Sequence, residues 1–472
     1  MKEYVFTDYS MKMKKLIGTL YKILFVVPLV VGVASYLYAG ENFSDALYYS
    51  IHLYGLSYEK PEISIVWLEI ARWLAPLMTA ASIMVVIKSL FSYLKVCVGA
   101  ISKKNNVVYG DSMYADILCS NEKNVFLCKG LPIRYAKNHL VMFDSDIENL
   151  SFCQKYSQQM KGNNIYVCMN EMDSNLLKEQ SALHIKFFNP NDVIAREFWR
   201  SLKLWDVAPL EYKIAIVGFG NLGKRMLEKA LQLNIYAEEQ KIQYYVFGNA
   251  KHFKVSHANM NLMNQDQILY FEKDSEEQWE MLKSMDIIIL TEQTEVDLIQ
   301  NILNCSEPMC KIYYYSPIDD KLRDFIATDR LLPYGNSKEV FTLENIKTDN
   351  LYQNAIKLNQ QYVDKYHTED WKQLTGFFKD SNISSADYGK VIMELHKKGL
   401  DETTLAKLEH IRWCRFHFLR YWRYGVPENG DNRDTAHKIH RSLIPFDELD
   451  KEEQEKDYDT INMWKKMLVE DK

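Results

Sequence analysis

The chain has 472 residues, several times the length of one ordinary domain, so more than one folded unit is expected. Apolar residues at 47% and charged residues at 25% exclude wholesale disorder and low-complexity classes. A net charge of -6 and a pI near 6.1 supply no basic excess, which argues against nucleic acid as a partner. The average hides an asymmetry. Ile23 to Tyr38 carries no charge, and Ile63 to Tyr93 is a second apolar run whose interior, Trp73 to Ile87, is uncharged. Extended back through Leu16, which adds only Lys22, the first run is long enough to cross a hydrocarbon core of about 30 Å, as is the second, so two membrane spans are expected. Lys12, Lys14, Lys15 and Lys22 precede the first run, and Lys88, Lys95, Lys103 and Lys104 end or follow the second. The connection holds Glu41, Asp45, Glu59 and Glu62 against Lys60, which predicts both termini on the cytoplasmic side. Thr79, Ala80, Ala81 and Ser82 lie midway along the second span, where small residues permit close packing and bending. The eight cysteines form no C-x-x-C pair, which fits buried thiols in a reducing compartment better than zinc or disulfides.

The connection itself, Glu41 to Glu59, predicts a short helix capped by Ser44 or Asp45 and running to about His52. Span, short helix, loop, span resembles the pore module of two-span potassium channels, with Leu53, Tyr54, Gly55 and Leu56 at the place of the selectivity filter. That resemblance implies a pore loop in each of several subunits, most simply a homotetramer, with carbonyls facing a permeant monovalent cation. The filter sequence departs from Thr-Val-Gly-Tyr-Gly, so potassium selectivity does not follow.

From Val107 onward, strands alternate with helices, the mark of a parallel α/β sheet. Gly110, Ser112 and Ala115 form a weak dinucleotide fingerprint after the first strand. The second is stronger: Lys213 to Val217 reads as a strand, Gly218, Gly220, Asn221 and Gly223 as a phosphate-binding turn, and the following residues as an amphipathic helix to about Leu233. The next strand ends at Asn249, without the carboxylate that grips the ribose in nicotinamide enzymes. Tandem units of this kind behind a two-span pore resemble the Trk-type regulatory domains that gate potassium channels.

The last third, from about Asp349, is helical and rich in aromatic and charged residues. Glu409, Arg412 and Trp413, then Trp422 and Tyr424, then Lys438 and His440, resemble the repeat of ryanodine receptors, which bacteria also use as a stand-alone domain. Upstream, Trp371, Lys379, Ser381 and Asn382 fit the bacterial version. The resemblance implies a module for nucleotide-like ligands and the company of nucleotide-signalled antiviral effectors. In the residues themselves, Trp413, Trp422 and Tyr424 offer planar faces for a purine, Arg412, Lys438 and His440 offer partners for phosphate, and Glu409 can accept from an exocyclic amine. No G-x-S-x-G, H-E-x-x-H or P-loop motif occurs, so an enzyme is not expected.

The expected architecture is therefore a pore module over 1–100, Rossmann-like domains over 101–210 and 211–345, and an all-α ryanodine-receptor-like domain over 346–472. The expected function is a nucleotide-gated cation channel of a bacterial inner membrane. The alternatives are a non-conducting membrane-anchored sensor and a housekeeping potassium channel regulated by NAD or ATP.

Overall fold

The computed structural model describes residues 22–101, 106–128, 132, 136–160, 163–172, 185–207, 209–271, 276–292, 296–317, 328–428 and 430–470. These fall into two compact units, Met1–Gly99 and Ala100–Lys472. Lys12, Lys14, Lys15, Lys103 and Lys104, invoked above for orientation, lie outside the described residues.

In the first unit, α1 (Lys22–Tyr38) is followed by α2 (Phe43–His52) and α3 (Val66–Ile101). Val66–Lys88 of α3 is long and apolar enough to cross a membrane, at a rise of 1.5 Å per residue, whereas α1 is a shorter apolar helix. Two helices of spanning length were expected; the described residues contain one. Both helices turn apolar side chains outward, among them Phe25, Val26 and Val30 on α1 and Met84, Val85 and Val86 on α3. A small core of Tyr36, Ala46, Leu53, Leu68, Ala71 and Ala75 holds the unit together. The cap of α2 is Asn42, two or three residues earlier than the expected Ser44 or Asp45: its Oδ1 accepts from the Asp45 N–H at 3.0 Å.

The second unit contains two parallel sheets. The first is built from β1 (Asn106–Tyr109), β2 (Val125–Cys128), β3 (Asn138–Val141), β4 (Asn164–Cys168) and β5 (Ile185–Phe188), in the order β2-β1-β3-β4-β5. Helices α4 (Met113–Asn121), α5 (Asp146–Tyr156) and α6 (Pro190–Leu202) accompany it. The second sheet comprises β6 (Glu211–Val217), β7 (Lys241–Phe247), β8 (Gln267–Phe271), β9 (Ile287–Leu290), β10 (Lys311–Tyr315) and β11 (Leu331–Tyr334), ordered β11-β10-β9-β6-β7-β8. Counted from β6, that is 3-2-1-4-5-6, the doubly wound dinucleotide-fold order, and the first sheet has the related 2-1-3-4-5 order. Near-continuous apolar strands such as Ile287–Leu290 are what a sheet covered on both faces requires. Between β6 and β7 runs α7 (Asn221–Leu233), whose apolar stripe packs on α6.

The C-terminal segment has four long helices, α8 (Asp349–Tyr366), α9 (Gly376–Lys397), α10 (Glu402–Phe418) and α11 (Lys451–Glu470). It is not all-α. Three two-residue strands, β12 (Arg423–Tyr424), β13 (Arg433–Asp434) and β14 (Ile439–His440), make a small sheet between α10 and α11. One continuous core joins this segment to both parallel sheets, from Val108 through Trp199 and Leu231 to Trp464. Polar bonds cross the same boundary: Tyr388 Oη donates to the Ile235 carbonyl at 2.6 Å, and Arg415 enters the second sheet domain to meet Asp266 at 2.8 Å.

Candidate functional site

The seven residues singled out in the last third divide into two sets. Glu409, Arg412, Trp413 and His440 line one cavity of about 370 Å³, a size usual for small-molecule sites. Ser381 and Asn382 from α9 join them, as do Tyr362 and Tyr366 from α8 and Asp457 from α11. Trp422 is instead a core residue, packed at 5.1 Å on Phe377 and 4% exposed. Tyr424 is exposed, and exposed Lys438 donates from Nζ to the Arg420 carbonyl at 3.2 Å. These three contribute nothing to the cavity wall: Trp422 packs in a cluster with Cys414, Phe418 and Leu443, and Tyr424 and Lys438 are exposed.

The predicted phosphate grip is absent from this cavity. Arg412 Nε and Nη2 donate to the two oxygens of Glu409 at 2.9 and 2.8 Å, and its Nη1 donates to Ser384 Oγ at 3.0 Å. Glu409 Oε1 also accepts from Ser385 Oγ at 2.8 Å. Both charges are almost wholly buried, so each needs the other and neither serves as a free hand for a ligand. His440 is neutral: burial, reinforced by Arg433 and Lys456, pushes it down to about 3. Its Nδ1 accepts from the Ser442 N–H at 3.1 Å. His410 is the opposite case. Its Nε2 faces the Ile444 carbonyl at 2.8 Å and its Nδ1 the Asp457 carboxylate at 3.1 Å, two acceptors that select the imidazolium. Burial opposes this, yet Cys414 and Asp457 raise the group well above its ordinary value.

The remaining lining gives the cavity its character. Glu369, Glu409, Glu452, Glu453 and Asp457 outnumber Arg412, Arg433 and Lys456. Half-buried Trp413 and Phe378 supply flat apolar faces, with the Arg433 guanidinium 4.2 Å over the Phe378 ring. Stacking faces beside carboxylates and amides suit the base and sugar of a nucleoside better than a polyphosphate. Arg433, Tyr362 and Tyr366 were not picked out from the sequence, whereas Asp457, with Lys456, belongs to the stretch that resembles the ryanodine-receptor repeat. Only the four-residue spacing of Tyr362 and Tyr366 signalled a shared helix face.

The glycine turn of the second sheet domain forms as expected. Gly218 has φ +92, and Thr291 Oγ1 donates to its carbonyl at 2.6 Å. A Cβ on Gly223 would sit 2.1 Å from the Gly218 oxygen, so that glycine serves helix–turn packing. At the switch point between β6 and β9, Glu292 lies against the turn, its Oε1 3.6 Å from where a Gly220 Cβ would be. A carboxylate there is electrostatically adverse to phosphate. Asn221 opens α7 and Asn249, past the end of β7, is exposed. In the first sheet domain, Gly110 abuts the Met142 carbonyl and Ser112 Oγ caps α4 by accepting from the Ala115 N–H at 3.2 Å.

In the first unit, Leu53–Gly55 continue α2 as a 3-10 turn instead of an extended row of carbonyls. Leu53 is buried, Leu56 is exposed with φ 64, and the Tyr54 hydroxyl donates to the Phe25 carbonyl. Thr79 and Ser82 hydroxyls fold back onto the carbonyls of Ala75 and Met78 at 3.2 and 2.8 Å. Pro76, unremarked in the sequence reading, removes one helical bond just before them.

Among the described residues no group of three or more His, Cys, Asp or Glu side chains is placed to hold a metal ion. No protein-family model and no curated protein matches the chain. Among solved structures, it is similar to GsuK bound to ADP, at 11% identity and TM-score 0.33 over 76% of this chain and 100% of that one. It is also similar to TP0037 from Treponema pallidum, a D-lactate dehydrogenase, at 13% identity and TM-score 0.20 over 63% of this chain and 98% of that one.

Proposed function

We propose that the chain is a ligand-gated ion channel of a bacterial inner membrane, multi-pass with both termini cytoplasmic, in which a nucleotide-like signal binds the C-terminal cavity. The observation that carries this reading is convergence: residues from α8, α9, α10, the small sheet and α11 meet around one 370 Å³ space with stacking faces and polar edges. A tetramer around one pore would let four sites share the roughly 5.5 kcal/mol needed to move a gate from 1:99 to 99:1. A weakly selective cation pore would depolarise the cell, which suits an antiviral-defence effector. One observation favours a second reading, a non-conducting membrane-anchored sensor: the 3-10 turn at Leu53–Gly55 forms no extended filter.

The test is current across planar bilayers holding the purified protein, with unequal potassium and sodium, while cyclic oligonucleotides, adenosine phosphates, NAD and ADP-ribose are added in turn. Ligand-dependent unitary current, lost in Trp413→Ala, supports the channel. Ligand binding by calorimetry without current in a verified tetramer transfers the reading to the sensor.

A further inference from the structure

A second cavity, of about 170 Å³, lies where the first sheet domain, the second sheet domain and the C-terminal helices meet. Its wall includes Lys186 on β5, Arg196 on α6, Arg225 and Lys229 on α7, Lys347 before α8 and Arg420 after α10. Against these six cations, the described lining offers two carboxylates, Asp192 and Asp380. None of the six is exposed. Arg196 is buried and the other five are half-buried, and a lysine or arginine withdrawn even in part from water needs compensation.

For Arg196 and Arg420 the protein supplies only part of that compensation. Arg196, 7% exposed, donates from Nη2 to the Asn345 carbonyl at 3.0 Å, and its Nε is buried without a hydrogen-bond partner, 3.6 Å from Glu197. Lys229 stands 3.7 Å from Asp387, beyond hydrogen-bond length, while Arg225 Nη1 donates to Glu228 at 2.8 Å and its Nε stands 3.6 Å from Asp192. Arg420 pairs with no carboxylate among the described residues; its guanidinium lies 3.8 Å over the Phe416 ring and its Nε is also unpartnered. Asp192 reports the resulting potential. Burial works to raise it, yet Arg225, Lys229, Arg196 and Arg420 hold it below the usual carboxylate range.

We infer that this junction is a binding site for a compact polyanion of the diphosphate type. The cavity has less than half the volume of the nucleoside-like one and a wall with six cations, so it takes phosphate groups and not a base. A diphosphate there bridges three elements of the second unit at once and ties the C-terminal helices to both sheets. The site stands apart from the C-terminal cavity and does not depend on what that cavity binds.

The probe is inorganic pyrophosphate, titrated calorimetrically into the full chain in detergent, beside ADP. Wild type should bind pyrophosphate, more weakly as salt is raised. Lys347→Gln and Arg420→Gln should each weaken it on the order of tenfold, the loss of one charge-assisted contact. Lys372→Gln, an exposed lysine elsewhere, should not. Equal affinity for ADP and pyrophosphate identifies free diphosphate as sufficient, whereas tighter ADP binding that both junction variants weaken identifies a nucleotide tail. Absence of binding in wild type overturns the proposal, as does binding that both folded variants leave unchanged. Should Arg420→Gln fail to fold by circular dichroism, the half-buried Lys347 variant decides alone.

Discussion

Histidines kept neutral by burial set the acid limit of the larger unit. Burial pushes His139 down to about 4 and His440 to about 3, and His417 lies well below its ordinary value. An unfolded histidine takes up its proton near pH 6.5, so below that pH the unfolded chain binds protons that the folded chain refuses. Stability is therefore full above about pH 6.5 and falls as pH drops toward the folded values. His410 does not offset this. Its folded value is raised, so it is charged in both states below about pH 6.5, and its contribution is lost only as pH rises through the folded value. The melting temperature should drop between pH 7 and 5. His440→Asn keeps an acceptor for the Ser442 N–H and should remove one proton's share of the slope, about 1.4 kcal/mol per pH unit. An unchanged slope would show that His440 is charged in the fold. At the cavity, Trp413→Ala should weaken nucleoside-like ligands by roughly tenfold through lost stacking, measured by calorimetry.

At the scale of the element, the turn between β6 and α7 separates two glycines that sequence alone treats alike. Gly223 has the Gly218 carbonyl where its Cβ would go, while Gly220 has ordinary φ and its nearest neighbour at 3.6 Å. Gly223→Ala should cost about 1–3 kcal/mol by overpacking, and Gly220→Ala should be near neutral, both read by denaturant unfolding. Loss of ligand response in a Gly223 variant would thus report packing, not a phosphate site. The same element shows what was legible. The apolar run Lys213 to Val217, the glycine spacing and the stripe to Leu233 are local patterns, and β6, the turn and α7 follow them. Glu292 lies just past the end of β9, some seventy residues on, so its place against the turn was invisible. Likewise Leu53 to Gly55 carried a family-like position, but helix continuation and burial of Leu53 decided its local form. Within the C-terminal segment, the residues on α10 and the strand beside it reached the cavity. Tyr424, Trp422 and Lys438 missed because Tyr424 lies in a two-residue strand too short to leave a periodic signal, Trp422 is taken up by an apolar cluster with Phe418 and Leu443, and Lys438 sits at a positive-φ position before the next strand.

Across the whole of the second unit, one arginine decides whether the C-terminal helices and the second sheet domain unfold together. Arg415 is wholly buried and donates to the carbonyls of Leu262 and Leu231, to Asn264 and to Asp266. Asp266 is anchored independently, accepting from the Ile242 N–H at 2.6 Å and from Gln240 at 2.8 Å. Removing the arginine therefore leaves a satisfied acid, and an Asn264 Oδ1 that still accepts from the Asp266 N–H at 2.9 Å, but takes a donor from two carbonyls at a packed boundary. Removing one partner of a buried pair costs about 3–5 kcal/mol, and here the loss falls on the contact between segments. Arg415→Met, which keeps most of the volume, should turn a single calorimetric transition of the full chain into two, with the C-terminal helices melting first. If ligand in the C-terminal cavity acts on the rest of the unit through this boundary, the same variant should still bind the ligand while the upper transition stops responding to it. A single transition that shifts as a whole, with ligand stabilisation intact, would show that the shared apolar core carries the coupling without the arginine.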